Sequence, residues 1–171
     1  MGADFSIRKA KLSDSQALTD LCMKSKQSNG YDDDFMRQCA DELRIQPAWI
    51  EKDDFWLAET AQGSLVGCIR LSASEDGNGE LETCFVDPDW HGKGIGRILF
   101  GHLLARATAL ELVLVGVDSD PAAETFYARM GFRTIGRVAS GSIAGRTLPR
   151  MEMVLENKEA GASKMTAETG V

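Results

Sequence analysis

The stretch VDPDWHGKGIGRILF, from Val86 to Phe100, holds three glycines within five positions, between two apolar segments. Backbone N–H groups that no side chain covers form an anion site at the start of a helix, because the helix dipole adds partial positive charge there. Lys93 and Arg97 add formal charge beside them. The stretch therefore predicts a phosphate-binding turn between a strand and a helix, although its spacing alone also fits a structural turn with solvated basic residues. The glycines are Gly92, Gly94 and Gly96.

Two familiar phosphate loops do not fit this spacing. The dinucleotide fingerprint G-x-G-x-x-G needs a glycine three residues after its second one, where this chain has Arg97 or Leu99, depending on the register. The Walker pattern needs Ser or Thr after Gly-Lys, where this chain has Gly94. A nucleotide-binding regulator is therefore disfavoured.

The composition is typical of a globular domain. The chain has 171 residues, of which 43% are hydrophobic and 26% charged, and this length suits one domain with one sizeable core. We expect residues 1–156 to form that domain and residues 157–171 to be a mobile tail with little to bury. The formal net charge of −7 works against a nucleic-acid partner. Since no apolar stretch approaches the roughly 20 residues that span a bilayer, we expect a cytoplasmic protein with no membrane partner.

The cysteines and histidines do not indicate a metal site. No C-x-x-C pair occurs, and the two histidines, His91 and His102, do not predict a metal pair or a catalytic triad. We therefore expect no metal, and reduced, mostly buried thiols. The cysteines are Cys22, Cys39, Cys68 and Cys84.

The periodicity of apolar residues predicts a chain that alternates between strands and helices. Helices are predicted at 13–25, 35–43, 95–109 and 121–130, with Pro47 limiting the second one. Strands are predicted at 5–10, 55–59, 65–73, 80–86, 110–117, 132–139 and 149–156. This order predicts an α/β fold with a mixed sheet and some parallel pairing across the helical crossovers.

The stretch from Val86 to Gly96 resembles the acetyl-coenzyme A signature of the GNAT superfamily of N-acetyltransferases. In that signature Val is followed by four residues, Gln or Arg, two residues, and Gly-x-Gly or Gly-x-Ala. His91 stands where Gln or Arg is usual, a departure of little weight because the family uses mainly the backbone N–H there. Residues 6–22 resemble the opening strand and helix of the family. DPAAETFYARMGF, residues 120–132, resembles its late Pro-x-Ala-x-x-Phe-Tyr-x-x-x-Gly-Phe segment.

The resemblance implies the GNAT fold, with about seven strands and about four helices, and central strands that splay apart to admit the pantetheine arm of acetyl-CoA. The amides from His91 to Arg97 would hold the pyrophosphate, and the strand edge at Phe85 and Val86 would pair with the pantetheine amides. Asp118 would hydrogen-bond the coenzyme or the acceptor, although a role at the helix entry fits it as well. The residues expected to bind the coenzyme are Phe85, Val86, His91, Gly92, Lys93, Gly94, Ile95, Gly96, Arg97, Asp118 and Phe126.

Three residues are candidates for proton transfer. Tyr127 matches the family tyrosine that protonates the leaving thiolate, whereas a tyrosine in isolation would more often be a core residue. Glu80 matches a glutamate that acts in several members as a general base through water, and its alternative role is that of a solvated carboxylate. Glu82 stands two residues further on the same strand and would share its face, roughly 6.5 Å away. Glu82 is the weaker candidate for the same role of general base.

These features predict an N-acetyltransferase that moves an acetyl group from acetyl-CoA to a primary amine of a small molecule or peptide. Transfer would be direct, in a ternary complex, because no cysteine has an evident histidine partner for a covalent route. The alternative is a non-catalytic acyl-CoA binding or sensing module. The segment YDDDF, residues 31–35, would attract a cationic acceptor or merely stabilise a helix N-terminus. Homodimers are common in the family, and the resemblance leaves a homodimer open.

Overall fold

The computed structural model describes residues 4–155, so the predicted tail at 157–171 lies outside the described residues. The helices in this part are α1 (Ser15–Gln27), α2 (Asp33–Leu43), α3 (Pro47–Lys52), α4 (Ile95–Ala109) and α5 (Glu124–Met130). The strands are β1 (Phe5–Lys9), β2 (Asp54–Thr60), β3 (Leu65–Ala73), β4 (Asn78–Val86), β5 (Leu114–Asp118), β6 (Arg133–Ala139) and β7 (Thr147–Val154). Single turns of 3-10 helix lie at Leu12–Asp14, Pro88–Trp90 and Pro121–Ala123.

The strands form one seven-stranded sheet in the order β1-β2-β3-β4-β5-β7-β6. Neighbouring strands are antiparallel except β4 and β5, which are parallel and are joined by the crossover through α4. The mixed sheet and its parallel pair confirm the predicted fold class.

The parallel pairing of β4 with β5 is short. It joins three residue pairs, Asn78 with Leu114, Gly79 with Val115 and Glu80 with Gly116. Beyond Glu80, β4 continues to Val86 with β3 as its partner on the other side, while β5 pairs with β7. Within residues 4–155, the edge of β4 from Leu81 to Val86 that faces β5 therefore has no strand partner.

Helices cover both faces of the sheet. On one face α4 buries Leu99 and Leu103 against residues of β3 and β5, including Ile69 and Val115. On the other face α1 and α2 bury an apolar layer against β2 and β3. That layer includes Leu18, Cys22, Met36, Cys39, Phe55, Leu57 and Cys68.

Three elements differ from the sequence prediction. The helix predicted at 121–130 begins as a 3-10 turn at Pro121–Ala123 and is α-helical only over α5. The fifth helix, α3, was not predicted, because Pro47 was interpreted only as a limit on α2, whereas it opens a new helix at a position where its missing N–H costs nothing. The strand predicted at 110–117 is shorter and begins at Leu114, since the chain turns at Glu111, where φ is +58°. No helix within residues 4–155 is long and apolar enough to cross a membrane.

A polar cluster ties two loops to the segment that precedes α5. The carboxylate of Asp120 accepts hydrogen bonds from the Tyr31 hydroxyl at 2.9 Å and from Nζ of Lys26 at 3.1 Å. Nη2 of Arg146, in the β6–β7 loop, donates to the Tyr31 oxygen at 2.5 Å. The cluster thus joins the α1–α2, β5–α5 and β6–β7 connections.

The pKa of Asp120 reflects this environment. Burial would raise it, but the N–H of Ala122 and the charge and hydrogen bond of Lys26 outweigh burial and lower the pKa below the usual 3.8. The carboxylate therefore stabilises the folded state above that pH.

We expect Gly67→Ala to destabilise the protein by about 1–3 kcal/mol. A Cβ at this position of β3 would lie 2.6 Å from Cγ2 of Ile95 and 3.1 Å from Cδ1 of Leu99, so α4 must shift. Gly101→Ala is the matched control: no atom lies within 4 Å of a Cβ there, and alanine in a helix should stabilise by about 0.5–1 kcal/mol. Urea unfolding shows whether each substitution raises or lowers the free energy of unfolding. Equal changes in the two variants would contradict the packing of α4 on β3.

Asp120→Asn should lower the free energy of unfolding at pH 7 and flatten its dependence on pH. Because the folded-state pKa is lowered, the stabilisation by Asp120 is present above pH 3.8 and is lost as the pH falls through the folded-state pKa. The curves of the variant and of the wild type should therefore converge in acid. Urea unfolding between pH 7 and pH 3 tests this, with Asp34→Asn at an exposed carboxylate as the control. Parallel curves would refute the assignment.

Candidate active site

A cleft of about 990 Å³ opens where β4 and β5 diverge. Its lining includes Cys22 and Leu43 from the layer under α1 and α2, and Ile95 and Tyr127 from the layer under α4. Since the lining comes from both layers, the cleft passes through the sheet and is bordered by both of its faces.

The glycine-rich turn forms one wall of this cleft. Gly92 and Gly94 have φ of +78° and +80°, a left-handed conformation that favours glycine, and Gly94 is the N-cap of α4. Within the described part of the chain, the N–H groups of residues 92–97 have no backbone or side-chain acceptor. A Cβ on Gly96 would lie 3.1 Å from the ring of Phe126, so this glycine also lets α4 approach α5. The turn is thus a cradle of free donors at a helix N-terminus, which is suited to phosphate.

The unpaired edge of β4 forms the floor of the cleft beside that cradle. Residues Leu81 to Val86 line it, and their free edge faces β5. An extended ligand with amide groups fits such an edge, because it can add to the sheet as a strand.

Tyr127 lines the cleft together with the cradle and the free edge. Its side chain is buried between the rings of Phe126 and Phe132, with centroids 5.4 and 5.5 Å away. Burial raises the pKa of Tyr127 well above 10, and the neighbouring Cys84 thiol adds to the shift. A tyrosine is protonated at neutral pH even at its ordinary pKa of 10, and burial holds the Tyr127 phenol more firmly in that form. Burial also raises the pKa of Cys84 to about 12, so its thiol is a poor nucleophile at neutral pH.

The two glutamates of β4 have different partners. Glu80 forms a bidentate ion pair with Arg150, whose Nη1 also donates to Asp118 at 3.0 Å. Burial nevertheless raises the pKa of Glu80, and Asp118 and Glu82 raise it further. Glu82 is exposed and accepts a hydrogen bond from Oγ of Ser72 at 2.9 Å. Glu82 lines the cleft, whereas Glu80 is not among the lining residues and is held by Arg150.

Most residues predicted from the sequence meet in this cleft. Lys93 is not among the lining residues, because its ammonium lies over the ring of Trp90, 4.8 Å from the centroid. The predicted residues that do line the cleft are Glu82, Phe85, Val86, His91, Gly92, Gly94, Ile95, Gly96, Arg97, Asp118, Phe126 and Tyr127.

Sequence reasoning missed two arginines. Arg150 fixes Glu80 from 70 residues away in the chain. Arg70 lines the cleft and is paired with Asp53 at 2.7 Å. A signal for Arg70 existed, since it interrupts the apolar run LVGCIRLSA, and a charge inside a buried strand needs a partner.

The acidic segment at 31–35 has local roles. Asp32 caps α2, because its carboxylate accepts from the N–H of Phe35 at 2.8 Å. Tyr31 donates to Asp120 instead of facing an open site.

Cys22, Cys39 and Cys68 are buried free thiols, and Cys84 is half-buried. Among residues 4–155 no group of His, Cys, Asp or Glu side chains is arranged to hold a metal ion.

Comparison with known proteins agrees with this geometry. A family model described as Acetyltransferase (GNAT) domain matches residues 14–155. The peptidyl-lysine N-acetyltransferase YjaB of Salmonella typhimurium is 28% identical over 106 residues, which cover 62% of this chain and 68% of that protein. The amino-acid acetyltransferase of Mycobacterium tuberculosis is 32% identical over 132 residues, covering 75% of this chain and 68% of that protein. Some other curated relatives are longer, and the chain spans about a third of their length.

The fold has close counterparts among solved structures. The PaiA N-acetyltransferase from Thermoplasma acidophilum, solved in complex with coenzyme A, superposes with a TM-score of 0.72 at 19% identity. The superposition covers 88% of this chain and 99% of that one. The family match takes in β4, the glycine-rich turn and α5, which together build the cleft. The chain therefore belongs to the GNAT superfamily and is an acetyltransferase.

Proposed function

We propose that this acetyltransferase moves an acetyl group from acetyl-CoA to a primary amine by direct transfer in a ternary complex. The observation that carries the proposal is that one cleft is lined by two unpaired hydrogen-bonding surfaces, the N–H cradle at residues 92–97 and the unpaired edge of β4. Pyrophosphate suits the first surface and the amides of pantetheine suit the second. One molecule that carries both groups in sequence is coenzyme A.

Tyr127 acts in this proposal as the acid for the leaving group. As the amine nitrogen bonds to the carbonyl carbon, the C–S bond of the thioester breaks and the sulfur needs a proton. The phenol of Tyr127 is protonated at neutral pH, as any tyrosine with a pKa of 10 or above is, so it has a proton to give. It belongs to the lining of the cleft, together with the cradle and the free strand edge.

One carboxylate of β4, that of Glu82, receives the proton that the amine loses. Glu82 lines the cleft and is exposed to water, so it is the group that a water molecule can connect to an acceptor amine. The resemblance made Glu80 the stronger candidate for the general base. Its bidentate pair with Arg150 instead suits Glu80 to holding Arg150 in place and to adding negative charge near Glu82.

The acceptor is an amine of a small molecule or a peptide. The two relatives named above act, by their names, on peptidyl-lysine and on amino acids, so the family comparison supports an amine acceptor and leaves its class open. A non-catalytic sensing module is the weaker alternative, since Tyr127 and Glu82 both line the cleft. A homodimer remains a prediction.

Gly94→Val should abolish acetyl-CoA binding measured by isothermal titration calorimetry. No protein atom lies within 4 Å of a Cβ at Gly94, so the valine side chain would occupy open space at the cradle that the proposed phosphate needs. Gly63→Val is the matched control, because Gly63 has a similar φ of +86° but lies in the remote β2–β3 turn. Both variants bear the same backbone strain, of about 1–2 kcal/mol. Equal affinity in the two variants would remove the phosphate assignment.

Tyr127→Phe should lower kcat by roughly 10²-fold and leave the acetyl-CoA Kd unchanged, because only the proton donor is lost. Thiol release with a panel of amines measures kcat, and calorimetry measures Kd. Tyr31→Phe removes the other tyrosine hydroxyl of the chain and should keep kcat within about threefold, since Tyr31 is not among the cleft-lining residues. Undiminished turnover of Tyr127→Phe would make Tyr127 a packing residue only.

A further inference from the structure

Arg70 is a buried cation in the lining of the cleft, and the proposed chemistry gives it no role. Its side chain is 8% exposed, and that of its partner Asp53 is 9% exposed. Nε of Arg70 donates to Oγ1 of Thr83 at 3.1 Å, and Nη1 donates to Asp53 at 2.7 Å. The guanidinium also stacks on Trp49, 4.1 Å from the ring centroid. A buried ion pair is on balance a poor source of stability, so these contacts call for another explanation.

The remaining nitrogen of Arg70, Nη2, has no hydrogen-bond partner among residues 4–155. Every fully buried polar side-chain atom in that part of the chain, in contrast, has a partner. Nη2 must therefore keep its contact with solvent, and Arg70 meets solvent in the cleft that it lines. Three contacts hold the guanidinium rigid, so Nη2 is a fixed donor with two unused N–H groups.

The charge of this donor is already balanced. Asp53 neutralises the guanidinium, so Nη2 offers directed hydrogen bonds without requiring a negative ligand. A carbonyl oxygen satisfies such a donor, and so does one oxygen of a carboxylate. An aliphatic amine without an oxygen leaves it unpaired.

Arg70 shares a face of the sheet with Glu82. Arg70 lies opposite Thr83 and Leu71 lies opposite Leu81, so Glu82 is an extra residue that forms a bulge in β4. The Glu82 carboxylate accepts from Ser72, which stands two residues after Arg70 on β3 and therefore points to the same side. The Glu82 carboxylate, which can accept a hydrogen bond from an amine, thus lies on the same side of the sheet as the Arg70 guanidinium, which can donate one to an oxygen. Side chains at such neighbouring positions lie about 5–8 Å apart, which a short amine with a nearby oxygen can bridge.

We propose that Arg70 selects acceptors in which a single carbon separates the amine from a carbonyl group, that is, the α-amine of an amino acid or of a peptide N-terminus. Nη2 of Arg70 binds the carbonyl oxygen while Glu82 faces the amine. This inference rests on the proposed acetyl transfer and names its substrate class. It disfavours the side-chain amine of lysine, which has no carbonyl at that distance.

The first test compares alaninamide with isopropylamine, in which a methyl group replaces the carboxamide. The ratio of their kcat/KM values, corrected for the fraction of neutral amine, should favour alaninamide by about 10- to 100-fold in the wild type. Arg70→Lys keeps a cation for Asp53 but removes Nη2, and the ratio should fall at least about tenfold. The double variant Arg70→Met with Asp53→Asn removes both charges and should lower the ratio equally.

Asp53→Asn alone is the matched control, because it disturbs the same pair but keeps the guanidinium, so we expect the ratio to stay within about threefold of the wild type. A wild-type ratio near one would overturn the proposal, and so would a ratio that the Arg70 variants leave unchanged. Thermal melts verify folding, and the wild-type ratio remains a test if a variant does not fold.

A second comparison uses lysine blocked at its ε-amine against lysine blocked at its α-amine. The proposal expects the wild type to acetylate the free α-amine, and preference for the ε-amine would overturn it. Alanine against alaninamide then separates the two sources of the oxygen, since a preference for alanine indicates a free amino acid and a preference for alaninamide a peptide N-terminus. Calorimetry of acetyl-CoA binding separates failure of the proposed function from failure of the role given to Arg70. If acetyl-CoA does not bind, the proposed function fails. If acetyl-CoA binds but the amine preference is absent, only the role of Arg70 fails.

Discussion

The three residue pairs that join β4 to β5 hold the site together and also limit how far the sheet stays closed. They are enough to keep the parallel crossover through α4 in register, and they end at Glu80, so the strands separate just where the glycine-rich turn approaches. If the pairing continued, β4 would have no free edge and the cleft would close. If it were absent, the two halves of the sheet would lose their common hydrogen bonds. The other parts of the site depend on this short ladder.

Because the strands part, residues on opposite faces of the sheet border one space. The α4 face contributes Tyr127 and the start of α4, while the α1 and α2 face contributes Arg70 and Glu82. This division suits a reaction between two molecules, since each can meet its own set of side chains and the reacting atoms can meet between the strands. The bulge at Glu82 adds to the division by giving β4 one residue more than β3 just past the point where β4 leaves β5.

The sequence allowed the element order, the mixed sheet and most of the cleft lining to be predicted, because these depend on local patterns. Apolar periodicity marks helices and strands, and a glycine cluster before a helix has few physical explanations. The partners of charged side chains were not predictable in this way. Arg150 reaches Glu80 only because β7 inserts between β5 and β6, and Arg70 meets Asp53 and Thr83 only through the register of β3 with its neighbours. The helix α3 was missed because six residues are too few to show a period.

The free edge of β4 also has a consequence for the protein before any substrate arrives. An unpaired strand edge is a template for association with other chains, and here it lies inside a cleft bordered by helices, where another protein strand has little access. A ligand that completes the sheet binds only the folded chain, so it shifts the folding equilibrium by mass action. Under the proposed function, the lifetime of the folded enzyme is then tied to the supply of its own substrate: the chain is best protected against unfolding and proteolysis when the coenzyme is abundant.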